Sequence, residues 1–317
     1  MRRWFALVVL VTASLGWVGV VAPAQAKAPG PIGRILFVRD TQLCDDCNLT
    51  TVNPDGTHRA SIPGGSIARW SPDGTRIAMA AESDDGRLTT MLVDPDGSDA
   101  TLFDIPDPTR NVACIVWVPD GSRLLCEVWD DVHPHRAHGV FSVDATDGQD
   151  LVRLTTSPVG GHDIPADTSP DGTRILFLRE DSTRRHRQLS LWVANADGTN
   201  EEALTGPLPH SACCQASWSP DGSLILFASK GQLRTIAPDG TGAATLELDT
   251  GEGFAYAYQP GWSPDGTRIV FSLYLDATRR VDLYTVSADG TDLVRLTDSR
   301  SPEEFSDWGS HPVATDA

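Results

Sequence analysis

Three histidines crowd one short stretch, WDDVHPHRAHG, as His133, His135 and His138. His162 and Asp163 follow in HDIP, and imidazoles with a carboxylate are the donor set that zinc and similar ions favour. The spacing in HPHRAH matches no familiar ligand pattern, so a solvated histidine-rich loop is the competing reading. No cofactor is expected, a metal ion at these four histidines being the alternative. DPDGSD offers Asp94, Asp96 and Asp99 as a calcium loop, but the twelfth position from Asp94 is Ile105 rather than the required glutamate. These aspartates are therefore expected to build turns. Arg184–Arg187 (RRHR) could dock an anion or simply form an exposed basic loop. No Gly-x-Ser-x-Gly nucleophile elbow occurs.

The six cysteines carry a second set of possibilities. Cys114 and Cys126 lie symmetrically about Asp120, so they face each other across one hairpin, as a cross-strand disulfide or a close free pair. Cys44 and Cys47 share a loop where a small disulfide is expected. Their C-x-x-C spacing is also a redox pattern, yet no thioredoxin-like βαβ context surrounds it. Cys213 and Cys214 are adjacent, and a vicinal disulfide there would be strained. A four-thiolate zinc site from Cys44, Cys47, Cys213 and Cys214 is a further alternative.

What positions these residues is a repeat. WSPDGTRI runs from Trp70 to Ile77 and returns verbatim from Trp262 to Ile269. Related copies begin at Trp117 (WVPDG), Thr168 (TSPDG) and Trp218 (WSPDG), and DWGS puts Trp308 in register. Their first positions are 47, 51, 50, 44 and 46 residues apart. A second motif ending in Asp-Gly recurs six times, at Asn53, Asp94, Ala145, Asn195, Ala237 and Ser287. Between the turns lie apolar, β-rich runs such as RILFLR, LSLWVA and LVRLT, and no sustained helical periodicity appears. Four short strands per repeat of this length match a propeller blade. The chain enters with RILFVRD, a second-strand pattern, and leaves with EFSDWGS, a first-strand pattern. The fold class is thus all-β, a six-bladed propeller of four-stranded antiparallel blades, the first blade completed by the C-terminal strand.

In the motif, proline presets the turn, aspartate bonds local backbone, and Gly74 takes the left-handed conformation. Trp70 is large enough to wedge between blades. Both regular turns fall at one end of the strands, so the variable connections gather at the other, where binding loops tend to lie. His162, Asp163, His210, Tyr256, Tyr258, Glu303 and Glu304 precede first strands, which are innermost in a propeller. They are expected to rim the channel mouth as a ligand-binding set, or else to solvate the inter-blade loops.

Arg2 and Arg3 followed by the apolar run Trp4–Ala22 and Ala24-Gln25-Ala26 read as a signal peptide over residues 1–26, an uncleaved anchor being the alternative. Its removal leaves 23 basic against 43 acidic residues. Such a surface repels nucleic acid and anionic headgroups. Residues 27–31 form a short lead-in, 32–310 the propeller and 311–317 a tail. The mature chain is expected to be an exported monomer with no membrane span, in the periplasm, the cell envelope or outside the cell.

WSPDGTRI followed by an L..V..DGT…LT pattern resembles the WD-repeat-like propeller repeats of the TolB family, over residues 32–308. That family's propellers are periplasmic and bind proteins, so the resemblance implies binding of a protein, peptide or cell-envelope component. TolB's own N-terminal domain is expected to have no counterpart between the signal peptide and the first blade. Similar repeats occur in prolyl-oligopeptidase-type peptidases, whose hydrolase domain would not fit this length. The expected function is non-enzymatic binding on the variable face. The alternative is a metal-dependent lyase or hydrolase at the channel mouth.

Overall fold

The computed structural model describes residues 32–39, 48–103, 105, 111–129, 138–158, 161–181, 188–208, 215–251 and 255–315. Twenty-four strands occur among them. They run as β1 (Ile35–Arg39), β2 (Asn48–Val52), β3 (Ala60–Pro63); then β4 (Ala68–Trp70), β5 (Ile77–Glu82), β6 (Leu88–Val93), β7 (Thr101–Leu102). Next come β8 (Asn111–Trp117), β9 (Arg123–Trp129), β10 (Val140–Asp144), β11 (Val152–Arg153), and β12 (His162–Thr168), β13 (Arg174–Asp181), β14 (Gln188–Asn195), β15 (Glu202–Ala203). The last are β16 (Ala216–Trp218), β17 (Ile225–Ser229), β18 (Gln232–Ile236), β19 (Ala244–Thr245), β20 (Ala255–Trp262), β21 (Arg268–Leu275), β22 (Arg280–Ser287), β23 (Val294–Arg295) and β24 (Glu303–Trp308).

These form six four-stranded antiparallel sheets, five of them consecutive and one ordered β24-β1-β2-β3. The C-terminal strand therefore completes the first blade, with Ile35 opposite Trp308 and Arg39 opposite Glu303. This six-bladed propeller contains no α-helix among the described residues, so none is long and apolar enough to cross a membrane. The fully formed outermost strands β7, β11, β15, β19 and β23 are only two residues each, which blunts the exposed edges.

The repeated turn has one hydrogen-bond pattern. Gly74 N donates to Ser71 O (2.9 Å), Thr75 N to Asp73 Oδ1 (3.0 Å), and Arg76 N to Ser71 Oγ (2.9 Å). Ser71 Oγ donates to Asp73 Oδ1 (2.6 Å), and Gly74 sits at φ +72°. The same bonds recur around Asp171, Asp221 and Asp265. Burial works against each of the Asp73, Asp171 and Asp265 carboxylates, but these donors outweigh it and hold the pKa below the usual range. In DPDGSD, Asp96 caps its own turn through Ser98, and Asp94 pairs with Arg76 at 3.2 Å.

The motif tryptophans close the ring. Trp218 packs with Leu176, Leu178 and Leu191 of the preceding blade, and Trp262 with Leu226 and Leu233. Trp308 packs with Val270 and Leu283, and Trp70 with Leu36, Leu49 and Ile62. Each indole buries roughly 200 Å² against its neighbour, a gross gain of about 5 kcal/mol per boundary before side-chain entropy. Beyond β24 the chain continues along the turn-bearing end. There His311 stacks on Trp70 with centroids 5.1 Å apart, and Ala314 exchanges two hydrogen bonds with the Asn53 side chain.

Candidate functional site

Each inner strand (β4, β8, β12, β16, β20, β24) begins at the variable end of the channel and finishes at the motif residue of the regular end. The expected ligand set therefore lies within the strands rather than in the connections before them: His162 and Asp163 open β12, Tyr256 and Tyr258 lie in β20, and Glu303 and Glu304 open β24. His162 is accordingly a strand residue. His210, His133, His135, Cys44, Cys47, Cys213, Cys214 and the Arg184–Arg187 loop lie outside the described residues.

The structure divides that set by strand alternation. Asp163 is fully buried, gripped by Arg179 Nε and Nη2 at 2.7 Å each and by Thr155 Oγ1 at 2.7 Å. Thr155 Oγ1 in turn accepts from Val140 N, so one threonine links the preceding blade to β12. Arg179 also binds Glu201 at 2.7 Å and lies over the Trp192 ring at 4.7 Å. Glu303 occupies the matching place at the β24 boundary, fully buried, with Arg59 at 3.5 Å and Thr297 as donor. Burial raises its pKa. Thr297 Oγ1 accepts from Leu283 N just as Thr155 does from Val140, so the Leu-Thr that ends these repeats is an inter-blade latch.

Two smaller, half-buried groups lie at the variable end. His162 Nε2 stands 3.0 Å from Glu127 Oε1 as an ion-pair contact, and its ring meets His138 edge-on at 5.2 Å. Burial disfavours the imidazolium, but the Glu127 carboxylate, with Glu180 and Asp163 adding, leaves the pKa raised. Tyr258 donates its hydroxyl to Glu304 Oε1 at 2.7 Å and meets Tyr256 at 6.0 Å between centroids. Burial and then that carboxylate raise the Tyr258 pKa, so it remains a neutral phenol. Among the described residues no group of three or more His, Cys, Asp or Glu side chains is placed to hold a metal ion.

A further concavity lies at the opposite end. A cavity of about 240 Å³ occupies the channel behind the motif turns, rimmed by Pro72, Pro119, Pro170, Pro220 and Pro264 and walled by the motif tryptophans. Four of its polar side chains come from the position just before a motif tryptophan or threonine, Arg69, Asp167, Ser217 and Asp307; the equivalent places before Trp117 and Trp262 hold Val116 and Gly261. Backbone bulges in β12 (between Pro165 and Asp167), β20 and β24 re-aim this column. Asp167 accepts from Trp218 N (2.7 Å) and Thr168 N (2.8 Å), and Asp307 accepts from Trp70 N (2.8 Å). With its amide oxygen turned to Arg69, Gln215 accepts from both terminal guanidinium nitrogens at 2.9 and 3.1 Å and donates to Gln259 O. Enclosure pushes the Asp167 pKa up to about 7; the hydrogen bonds from Trp218 and Thr168 and the charge of Arg69 offset it in part, and Asp307 adds to it. The sequence reading missed this column. Its signal was the residue before each motif copy, which varies and is polar or charged in four of six copies, and which strand alternation turns toward the lumen.

A ring of six four-stranded blades with a funnelled channel defines the molecule as a six-bladed β-propeller. Its fold is that of TolB-like propellers: it is similar to TolB from Acinetobacter baumannii at 17% identity and a TM-score of 0.63, over 87% of this chain and 66% of that one. A TolB candidate from Agrobacterium tumefaciens superposes with a TM-score of 0.60 at 18% identity, over 89% of this chain and 94% of that one. An oligogalacturonate lyase in complex with manganese gives 0.52 at 16% identity, over 85% and 74%. The chain thus spans just under two thirds of the Acinetobacter protein. No protein-family profile matches the chain, and no curated protein does.

Proposed function

We propose that this protein is an exported, non-catalytic propeller that binds a protein, peptide or cell-envelope partner at the variable end of its channel. The observation that carries this reading is the fate of the polar residues there. The Asp163 and Glu303 carboxylates are taken into buried blade-to-blade contacts, leaving Tyr256, Tyr258, Glu304 and His162 as the partly exposed surface. Paired tyrosines beside a carboxylate make a contact patch that loses little entropy on binding. Export is supported by the basic and apolar N-terminal run and by the Cys114–Cys126 disulfide, a bond favoured in an oxidising compartment. The test is retention of envelope proteins or glycans on the immobilised protein. A partner retained by the wild type but lost with Tyr256→Ala and Glu304→Ala fits the proposal; identical retention by the variants overturns it.

The second reading is a metal-dependent lyase or hydrolase, for which His138, His162 and Glu127 are the residues to watch. An oligogalacturonate lyase with manganese shares the fold. Stoichiometric metal in purified protein, lost with His162→Ala, would favour this enzyme reading over the binding module.

A further inference from the structure

The cavity behind the motif turns has an unbalanced charge. Arg69 is committed to Gln215 and stands 3.7 Å from Asp307, so that guanidinium and that carboxylate answer each other. Asp167 has no such partner: both oxygens accept backbone N–H groups, and no cation among the described residues stands within ion-pair distance. Arg69 from β4 and Asp307 from β24 are the charged side chains whose fields reach it. A half-buried carboxylate lacking a counter-charge is costly, and a cation delivered to it offsets that cost. The rim supplies the other half of the recognition. Five prolines and the tryptophan walls form an apolar collar in front of the carboxylate, suited to an alkyl chain rather than to a hydrated ion. About 240 Å³ admits a chain of a few methylenes and its head group.

We propose that the turn-end channel cavity binds a primary alkylammonium group, its head on Asp167 and its alkyl chain within the proline collar. This site lies at the end of the channel opposite the proposed partner surface and stands or falls independently of it. The group can belong to a free amine or to a lysine side chain of another protein.

Binding requires Asp167 ionised, whereas the ammonium stays protonated well above neutrality. With the carboxyl titrating about 7, affinity falls roughly tenfold between pH 8 and pH 6 and levels off above pH 8. The experiment is calorimetric or NMR titration of the intact protein with n-butylammonium chloride and, as a neutral isostere, n-butanol. The expected result is saturable butylammonium binding with Kd on the order of 1 mM at pH 8, and at least tenfold weaker binding of butanol. Asp167→Asn keeps an acceptor for one backbone N–H and is expected to weaken butylammonium at least tenfold and to abolish the pH dependence. Gly261→Lys supplies an internal ammonium from the same column, where an added Cβ meets nothing closer than 3.7 Å, and is expected to block binding. The wild-type pH profile needs no variant at all. Absence of butylammonium binding at pH 8, equal binding of butanol, or unchanged affinity in folded Asp167→Asn each overturns the proposal. Nα-acetyl-lysine N-methylamide separates the sources: tighter binding than butylammonium assigns a protein lysine, weaker binding a free amine, and either keeps the site.

Discussion

The imidazole of His311 lies flat on the indole of Trp70, 5° from parallel, with its Nδ1 2.9 Å from Gly74 O. The segment after the last strand is thereby pinned to the first copy of the motif, over the boundary where the ring closes. Arg34 N donates to His311 O at 3.0 Å, so the same residue also holds the entry to β1. His311→Ala is expected to cost about 1–2 kcal/mol, from one ring pair and one hydrogen bond. Urea unfolding with unchanged slope would measure it.

Gly74 is the sharpest backbone constraint at that place. It sits at φ +72°, and an added Cβ would come within 2.5 Å of His311 N. Gly74→Val is therefore expected to lose about 2–3 kcal/mol, more than the same change at Gly121, where a Cβ meets nothing within 4 Å. Thermal melts of the two variants side by side make the comparison.

The Arg179–Asp163 pair is built into the wall between blades, with Asp163 wholly enclosed. Arg179→Met removes one partner and strands a buried carboxylate, at an expected cost of about 3–5 kcal/mol. Adding Asp163→Leu is expected to recover most of the loss. A double-mutant cycle by chemical denaturation checks both steps, and an uncharged double variant no more stable than the single would contradict the account.

Cys114 and Cys126 are fully buried opposite one another in β8 and β9, and their disulfide closes a loop of separation 12. Loop-closure entropy puts its contribution at about 3 kcal/mol. Unfolding with and without reductant, with Cys114→Ala/Cys126→Ala as control, reads this out.

Asp167 makes stability depend on pH in an uncommon direction. Its folded pKa of about 7 lies above the unfolded carboxylate value near 4, so the folded state binds the extra proton between these limits. Stability contributed by this group is present in full below about pH 4 and is lost as pH rises to about 7, by at most about 4 kcal/mol. Asp167→Asn is expected to flatten that slope without a large loss at pH 5. His162 acts in the same direction in a higher window: its raised pKa gives a contribution that is present in full below about pH 6.5 and lost at higher pH. Glu127→Gln is expected to remove it. Stability curves from pH 4 to 8 for both variants separate the two.

Much of the architecture was legible because its causes are local. The Ser-Pro-Asp-Gly turn forms bonds within five residues of itself, so repetition of the string announces repetition of the hairpin. Cys114 and Cys126 could be paired by counting outward from Asp120 for the same reason. The candidate site was read less well. Asp163 and Glu303 are polar residues at the variable end, as expected, but their orientation into the blade walls follows from partners such as Arg179 and Arg59, remote in sequence.

By itself the sequence determined the six-fold repeat, the turn chemistry, the order of strands and the closure of the first blade by the last strand, all set by short-range bonds and a fixed period. Only the tertiary structure decided that Arg69, Asp167 and Asp307 share one cavity at the regular end. Ring closure brings side chains from three repeats into a common lumen, and backbone bulges in the β12 and β24 pairings set the aim of Asp167 and Asp307 there. Charge balance in that lumen is a property of the closed ring, so no single repeat could reveal it.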